Sequence, residues 1–291
     1  MAMRLLLLLA AAAFVAGCGS SGAAAGDGPR VVATTTQLAD MARNVAPDAE
    51  VTALLSANTD PHEYEVRPRD VKALAQADVV LRSGGEADEW LDGALESAGV
   101  SDDEVVDAGA AAGLEGDDPH WWQDPRRAER AATAIGRAIP GADPGPYVLR
   151  LHALDAAVER CISAVPASER LLVTSHDALG YYARRYGIRV VGTIIPSLST
   201  SGQPSAGEVA ALVDTIRQTG VRAIFAESSV NPKVEQAIAR ESGAVVGRPL
   251  WADSLGPEDS DGATYIGSIE ANTRALVEGF TGRPANCFSD A

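Results

Sequence analysis

The chain has 291 residues, of which 46% are hydrophobic and 22% are charged, and its formal net charge is -16. This composition is typical of a globular protein with one large or two ordinary domains. Such a negative charge argues against binding to nucleic acid and against electrostatic attachment to anionic lipid, whereas it suits a solvated surface or a cationic ligand.

The N-terminal residues have the layout of a secretory signal. Arg4 precedes an unbroken apolar run that ends in small residues and Cys18, and this run is short for a membrane span. The segment VAGC resembles the lipobox of bacterial lipoproteins, in which cleavage leaves a lipid-bearing cysteine at the new N-terminus. We therefore predict a lipoprotein signal peptide over residues 1–17, lipidation of Cys18 and a flexible tether over residues 18–29. The alternatives are an ordinary signal peptide or a buried helix.

From Arg30 onward, strand and helix patterns alternate along the chain. The patterns predict strands at RVVATT, EVTALLS, DVVLRSG and EVVDAG, and helices at QLADMARNVA, RPRDVKALAQA and RRAERAATAIGRAI. This alternation indicates βα units and a mostly parallel sheet. We assign residues 30–143 to an N-terminal α/β lobe, which ends within the proline- and glycine-rich segment PGADPGP.

A long helix is predicted next, because apolar residues recur at helical spacing over residues 147–165, between Pro146 and Pro166. We predict a linking helix over residues 144–167. Beyond it, the patterns predict strands at RLLVTS, RVVGTI, AIFAES and VVGRPLW, and helices at DALGYYARRYG, SAGEVAALVDTIRQTG and KVEQAIARESG, within a C-terminal α/β lobe over residues 168–291. The predicted fold class is α/β, with two lobes that each contain a mostly parallel sheet flanked by helices and are joined by the linking helix.

Most of the candidate functional residues follow predicted strands. His62 comes just after VTALLS, and His176 follows RLLVTS. Glu227 lies near the end of AIFAES, and Asp253 follows VVGRPLW. His120 lies in the loop before a predicted helix. Because ligands of α/β proteins bind beyond the carboxyl ends of the strands, these residues of both lobes are expected at one cleft.

Two of the four histidines are presented in the same way, as Asp-Pro-His. Proline stiffens the turn and lowers the entropy cost of positioning His62 or His120 as a ligand. We further expect Asp60 and Asp118 to accept the other ring N–H of these histidines, as metal-bound imidazoles usually require. Asp-Pro is also a common turn opener, so an exposed histidine is the alternative for either copy. His152 lies inside the linking helix and is not a candidate ligand.

Cys161 and Cys287 remain as a pair if Cys18 is lipidated, and an exported protein lies in a compartment that permits disulfides. A bridge between them is plausible, although the sequence does not establish their proximity. Trp121 and Trp122 adjoin His120 and either shield a site from water or belong to the core.

Five segments resemble, in order, motifs of the metal-binding solute-binding proteins of bacterial ABC importers for zinc and manganese. They are DPHEYEVRPRDVKALAQADVVLRSGGEADEWLD, DPHWWQDP, TSHDALGYYARRYGI, PSAGEVAALVDTIRQTGVRAIFAESSVNPK and PLWADSLG. The resemblance covers nearly the whole mature chain. It implies two α/β lobes, a rigid linking helix and one divalent metal in the cleft, delivered to an ABC transporter permease.

Carried over residue by residue, the resemblance implies metal ligands at His62, His120, His176 and Asp253, with Glu227 beside them or as an occasional ligand. Manganese-preferring members often have glutamate at the third position, which is His176 here. Three imidazoles and one carboxylate favour Zn²⁺, and Mn²⁺ is the alternative. The chain lacks the His-rich acidic loop that many zinc members carry between the first two ligands, which puts loop-assisted zinc capture in doubt.

The sequence thus predicts a metal-binding protein and not an enzyme. We expect a monomer that is lipid-anchored on the outer face of the cell membrane, on the periplasmic side if the cell is Gram-negative. Three alternatives are a zinc hydrolase with Glu227 as general base, a siderophore- or cobalamin-type binding protein, and a structural or adhesive lipoprotein. Four protein ligands would close the open metal position that a hydrolase needs, and the sequence has no HExxH motif.

Overall fold

The structure is a computed structural model and describes residues 28–288. The predicted signal peptide, Cys18 and almost all of the predicted tether lie outside the described residues. Residues 28–288 form ten α-helices and eight β-strands. None of the helices in this part of the chain combines the length and the hydropathy that a membrane span needs.

The first lobe contains a four-stranded parallel sheet. Its strands are β1 (Arg30–Ala33), β2 (Glu50–Ala53), β3 (Val79–Arg82) and β4 (Val105–Asp107), in the order β2-β1-β3-β4. Its helices are α1 (Thr36–Val45), α2 (Pro68–Leu74), α3 (Leu91–Ala98), α4 (Ala108–Ala112) and α5 (Pro125–Ala138). The predicted strands and α2 are present with shorter ends, α1 and α5 lie one residue earlier than predicted, and α3 and α4 are additional.

The ends of these helices follow from local chemistry. The side chain of Thr35 accepts the backbone N–H of Leu38 and caps α1. Asp124 caps α5 by accepting the N–H of Arg126, and Pro125 occupies the first turn, where its missing N–H costs nothing. Because both helices begin at the same edge of the sheet as the candidate residues, their caps also determine the course of the loops there.

The predicted linking helix is α6 (Gly145–Ser163). It begins close to α5, since a Cβ atom on Gly136 would lie 2.7 Å from the ring of Pro144. Only glycine allows that approach without displacing the proline. The helix ends before Pro166, because that residue cannot continue the helical hydrogen bonds.

The second lobe repeats the arrangement of the first. Its strands are β5 (Leu171–Thr174), β6 (Arg189–Thr193), β7 (Ala223–Ile224) and β8 (Val245–Val246), and its helices are α7 (Gly180–Tyr186), α8 (Ala206–Thr219) and α9 (Lys233–Ser242). A parallel bridge between Thr174 and Phe225 joins the two strand pairs into the order β6-β5-β7-β8. This order corresponds to β2-β1-β3-β4, so both lobes have their topological switch between equivalent strands.

Three elements of the second lobe differ most from the prediction. Strands β7 and β8 have two residues each, and their pairing resumes only at the bridge between Glu227 and Leu250, because Pro249 has no N–H to donate. Helix α7 starts at Gly180, three residues after the predicted start. The N–H of Asp177 instead donates to the carbonyl of Ser197, which shapes the loop after β5.

One long helix was not predicted, namely α10 (Tyr265–Thr281). Thr264 caps its start, and Gly282 ends it in the left-handed conformation. The N–H of Tyr265 donates to Asp40 of the first lobe, whereas the Phe280 ring lies 6.1 Å from Phe225 in the second lobe. Helix α10 therefore spans both lobes beside α6.

The two lobes share a hydrophobic core. A single cluster of buried side chains includes Val31 of β1, Ile135 of α5, Leu151 of α6, Tyr182 of α7 and Tyr265 of α10. Each lobe also has a smaller cluster on the other face of its sheet. The division into lobes is therefore a division of sheets rather than of hydrophobic cores, and the boundaries at residues 143 and 168 remain predictions.

The structure contains a disulfide between Cys161 and Cys287, with the Cα atoms 5.2 Å apart. Cys161 lies near the end of α6, and Cys287 lies in the tail after α10. The bond ties this tail to the linking helix.

Replacing both cysteines by serine should lower the free energy of unfolding by roughly 2–5 kcal/mol, because the bond closes a long loop in the unfolded chain. Denaturant unfolding of the mature protein with and without reductant measures this effect. The double variant is the control, since reductant should not change its stability. Equal stability of the wild-type protein under both conditions would contradict the prediction.

Candidate metal centre

The structure brings His62, His120, His176 and Asp253 together between the two lobes. One side-chain atom from each residue can be chosen so that all four lie within 4.8 Å of one another. The histidine ring centroids are 5.1 to 5.7 Å apart. Two of these residues come from each lobe, so the cluster exists only where the lobes meet.

His62 lies in a short 3-10 helix, Pro61–Glu63, in the loop after β2. The carboxylate of Asp60 caps this turn by accepting the backbone N–H of His62 at 2.9 Å. Its other oxygen accepts the hydroxyl of Thr200 from the second lobe at 2.6 Å. Within the described residues, the hydrogen bond from His62 to Asp60 thus involves the backbone and not the ring, so the predicted ring contact is corrected. The cap at Asp60 holds the turn instead.

His120 is fully buried at the start of a 3-10 helix, Trp121–Gln123. Its ring Nδ1 lies 2.9 Å from Asp118 Oδ1, and its backbone N–H donates to the same oxygen. This contact leaves Nε2 facing the cluster. A carboxylate bound to Nδ1 orients the ring of a metal-binding histidine in this way. The Asp118 contact matches the geometry expected from the sequence.

His176 follows β5 and is also fully buried. Its ring Nδ1 lies 2.6 Å from Glu227 Oε1, and its backbone N–H donates to the same oxygen. The hydroxyl of Thr174 donates to the carbonyl of His176 at 2.7 Å. Glu227 thus contacts the ring and the backbone of His176 in the same way as Asp118 contacts those of His120. It lies beside the cluster of donor atoms.

Asp253 supplies the carboxylate at the centre of the cluster. Its oxygens lie 3.4 Å from the Nε2 atoms of both His120 and His176, and 3.9 Å from that of His62. Neither oxygen has a hydrogen-bond partner among the described residues, and the same holds for Nε2 of His62. Buried polar atoms without partners are rare in native structures, and here they converge on one point.

The spacing of these atoms fits a four-coordinate metal. Zinc–nitrogen bonds of about 2.0–2.1 Å in a tetrahedron place neighbouring ligand atoms about 3.3 Å apart. The Nε2 atoms of His120 and His176 are 3.2 Å apart, and the distances to Asp253 are similar. Nε2 of His62 lies farther out, 3.9 Å from Asp253, so the arrangement can accept a divalent cation once this side chain moves toward the other three.

The charges of the cluster shift its pKa values in opposite directions. Burial lowers the pKa of His176, but the carboxylates of Asp253 and Glu227 together raise it to about 9. Burial also lowers the pKa of His62, and there the effect outweighs attraction to Asp253. Burial raises the pKa of Asp253, yet the three imidazoles bring it below its ordinary value. A proton therefore occupies the site near neutral pH, and a metal must displace it.

Both tryptophans are buried directly after His120 and bond to the backbone. Trp121 donates to the carbonyl of Ser83 within the first lobe, and Trp122 donates to the carbonyl of Ala252 in the second lobe. Gln123 also donates to Ala252, at 2.7 Å. Both indole rings are buried, so these residues belong to the core and also hold the residue before Asp253.

His152 lies apart from the cluster, as expected. Its side chain is 63% exposed and lies beside Glu129 on the surface of the linking helix. Two interlobe contacts were not predicted from the sequence. They are made by Thr200 and by Tyr181, whose hydroxyl bonds to the backbone of residues 115 and 118. No sequence signal points to these contacts, because each depends on how the lobes meet.

A family model described as ZnuA, zinc-uptake complex component A periplasmic, matches residues 31–279. The chain belongs to this family. The resemblance inferred from its motifs is therefore confirmed. The family consists of substrate-binding proteins rather than enzymes, in agreement with the prediction for this chain.

Several relatives of this ZnuA-family protein are similar over most of their length. The zinc-binding protein TroA of Treponema pallidum is 32% identical over 284 residues, covering 89% of this chain and 91% of TroA. The iron-binding protein YfeA of Yersinia pestis is 30% identical over 271 residues and 86% of each chain. The manganese-binding lipoprotein MntA of Halalkalibacterium halodurans is 28% identical over 295 residues, covering 94% of this chain and 97% of MntA.

The structure of periplasmic TroA from Treponema pallidum superimposes on this ZnuA-family chain with a TM-score of 0.78 and 28% sequence identity. The match covers 87% of this chain and 99% of TroA. It confirms the predicted α/β fold class. The metals in the names of the relatives differ, so family membership leaves the metal of this chain undecided.

The affinity for Zn²⁺ should increase with pH up to about 9, because the proton on His176 competes with the metal. Burial lowers the pKa of His120, but its bonds to Asp118 and Asp253 raise it above its ordinary value, so a proton on this ring competes as well. Each displaced proton changes the affinity by about tenfold per pH unit. Competition with a chelator of known affinity between about pH 6 and pH 8 measures this slope. A pH-independent affinity would contradict the prediction.

The stability of the metal-free protein should show the opposite pH dependence, because of the same histidine. The pKa of His176 in the folded state, about 9, exceeds its ordinary value of 6.5. Its contribution to stability is therefore fully present below pH 6.5 and is lost as the pH rises through 9. Glu227→Gln removes one of the two carboxylates that raise the pKa of His176. In this variant, the pH dependence of the zinc affinity and that of the metal-free stability should both shift to lower pH.

Proposed function

We propose that this protein captures one divalent transition metal between its lobes and delivers it to the permease of an ABC importer. The observation that carries the proposal is the convergence of three imidazole nitrogens and one carboxylate on a buried point. The proposed ligands are His62, His120, His176 and Asp253. Membership in a family of substrate-binding proteins supports capture rather than catalysis.

We propose zinc as the transported metal, with manganese as the alternative. Three of the four proposed ligands are imidazoles, which suit zinc and other late transition metals, whereas manganese favours carboxylate and other oxygen ligands. Asp253 is the single carboxylate of the set. Glu227 is engaged with His176, so it orients that ring and does not add an oxygen ligand in this arrangement.

We propose that the protein acts outside the cytoplasmic membrane as a monomer, anchored through lipid on Cys18. The lipobox-like segment supports the anchor, and the printed name of MntA, a lipoprotein, agrees with it. With the proposed division into lobes over residues 30–143 and 168–291 and the linking helix over residues 144–167, the metal would lie buried between the lobes.

Replacing any one of the four proposed ligands by alanine should weaken stabilisation by Zn²⁺. At a free metal concentration 100 times the dissociation constant, binding adds about 2.7 kcal/mol to the free energy of unfolding, and a 100-fold weaker site adds only about 0.4 kcal/mol. Thermal unfolding with and without Zn²⁺ measures this difference. His152→Ala is the matched control, since it removes an exposed imidazole and should respond like the wild type. A zinc response that survives in His176→Ala but disappears in His152→Ala would refute the proposed site.

The metal content of the purified protein decides between Zn²⁺ and Mn²⁺. The mature protein, purified without a metal-binding tag and stripped of metal, is offered equal concentrations of Zn²⁺ and Mn²⁺ and then analysed by mass spectrometry. We expect one equivalent of zinc, because the nitrogen-rich ligand set favours it. Retention of manganese would preserve the proposed transport function but change the metal. Retention of neither would contradict the function itself.

A further inference from the structure

Helix α7 of the second lobe contacts the loop of the first lobe that carries His120. The hydroxyl of Tyr181 accepts the backbone N–H of Glu115 at 2.8 Å and donates to the carbonyl of Asp118 at 3.1 Å. One hydroxyl group thus bonds to both ends of the turn at residues 115–118. Tyr181 itself is 2% exposed, and its two hydrogen bonds to the turn are partly buried.

The ring of Tyr181 is held between two guanidinium groups. Arg127 of α5 lies 4.3 Å from the ring centroid, and Arg184 of α7 lies 4.7 Å from it. Cation–π contacts of this kind fix the ring plane. Since Arg127 belongs to the first lobe, the ring is held by both lobes and its hydroxyl has a defined direction.

The same helix also approaches the side chain of Asp118. A Cβ atom on Gly180 would lie 3.2 Å from Asp118 Oδ2, and the Arg184 guanidinium lies 3.9 Å from that oxygen. The other oxygen, Oδ1, contacts the ring and the backbone N–H of His120. The carboxylate therefore lies between α7 and the imidazole.

We propose that Tyr181 is a positioning residue for metal retention, which acts through Asp118 on the ring of His120. This inference rests on the proposed function. Because Tyr181 and His120 belong to different lobes, the contact makes the orientation of one metal ligand depend on the relative position of the lobes. Separation of the lobes removes the Tyr181 hydroxyl from the backbone of the turn, so that the Asp118 side chain is held less firmly against the His120 ring and the hold of His120 on the metal weakens.

Tyr181→Phe tests this role, since it removes the hydroxyl but keeps the ring between the two guanidinium groups. The probe is Zn²⁺ alone, and the measurement is its rate of dissociation from the loaded protein into an excess of chelator. We expect dissociation to become about tenfold faster, at the low end of the loss caused by removing a group that orients a ligand. The rate should depend on the hydroxyl even where the melting temperature changes little.

Tyr182→Phe is the matched control. Tyr182 lies on the same helix, is fully buried and bonds through its hydroxyl to Thr273 at 2.8 Å. This variant also loses one buried hydrogen bond, so it reproduces the general loss of stability. It should leave the rate of zinc dissociation unchanged, because its hydroxyl bonds to α10 and not to the turn.

A double-mutant cycle with Asp118→Ala identifies the route. If Tyr181 acts through Asp118, then Tyr181→Phe should have no further effect on zinc dissociation in the Asp118→Ala background. An unchanged rate in Tyr181→Phe, or an equal effect in both backgrounds, would overturn this inference alone. A wild-type protein that retains neither Zn²⁺ nor Mn²⁺ would overturn the proposed function and this inference with it.

Discussion

The buried carboxylate of Asp253 is the constraint on which the centre depends. Neither of its oxygens has a hydrogen-bond partner among the described residues, and an isolated charge in such a place would be very costly. Three imidazoles surround it and lower its pKa, so their protons and a metal compete for the same negative charge. The loops that carry His62, His120 and His176 are each held by a neighbouring acidic residue, either at the backbone or at the ring.

The architecture separates a shared apolar core from a polar cleft. Helices α6 and α10 run beside each other, and their buried side chains join one cluster with residues of both sheets. At the cleft, the contacts between the lobes are individual hydrogen bonds, such as that from Thr200 to Asp60. Apolar burial gives no direction, whereas single hydrogen bonds can be exchanged one at a time.

The fold alone does not determine which metal such a protein binds. The relatives are named for zinc, iron and manganese, although each matches at least 86% of this chain. Donor type and geometry decide the preference, and those are set by a few side chains on loops. The carboxylates of Asp118 and Glu227 influence the same preference indirectly, since they fix which ring nitrogen of His120 and His176 faces the metal.

Residue order was sufficient to predict the alternation of strands and helices, the linking helix and the candidates at strand ends, because these depend on periodicity and on the handedness of βα units. The two Asp-Pro-His turns also marked their histidines, since proline acts locally. Helix α10 carried readable caps at Thr264 and Gly282 but was not predicted. Only the tertiary structure decided that Asp60 caps a turn while Asp118 orients a ring, and that Tyr181 reaches the opposite lobe. Such contacts join residues far apart in the chain, and no local propensity encodes the distance between two lobes.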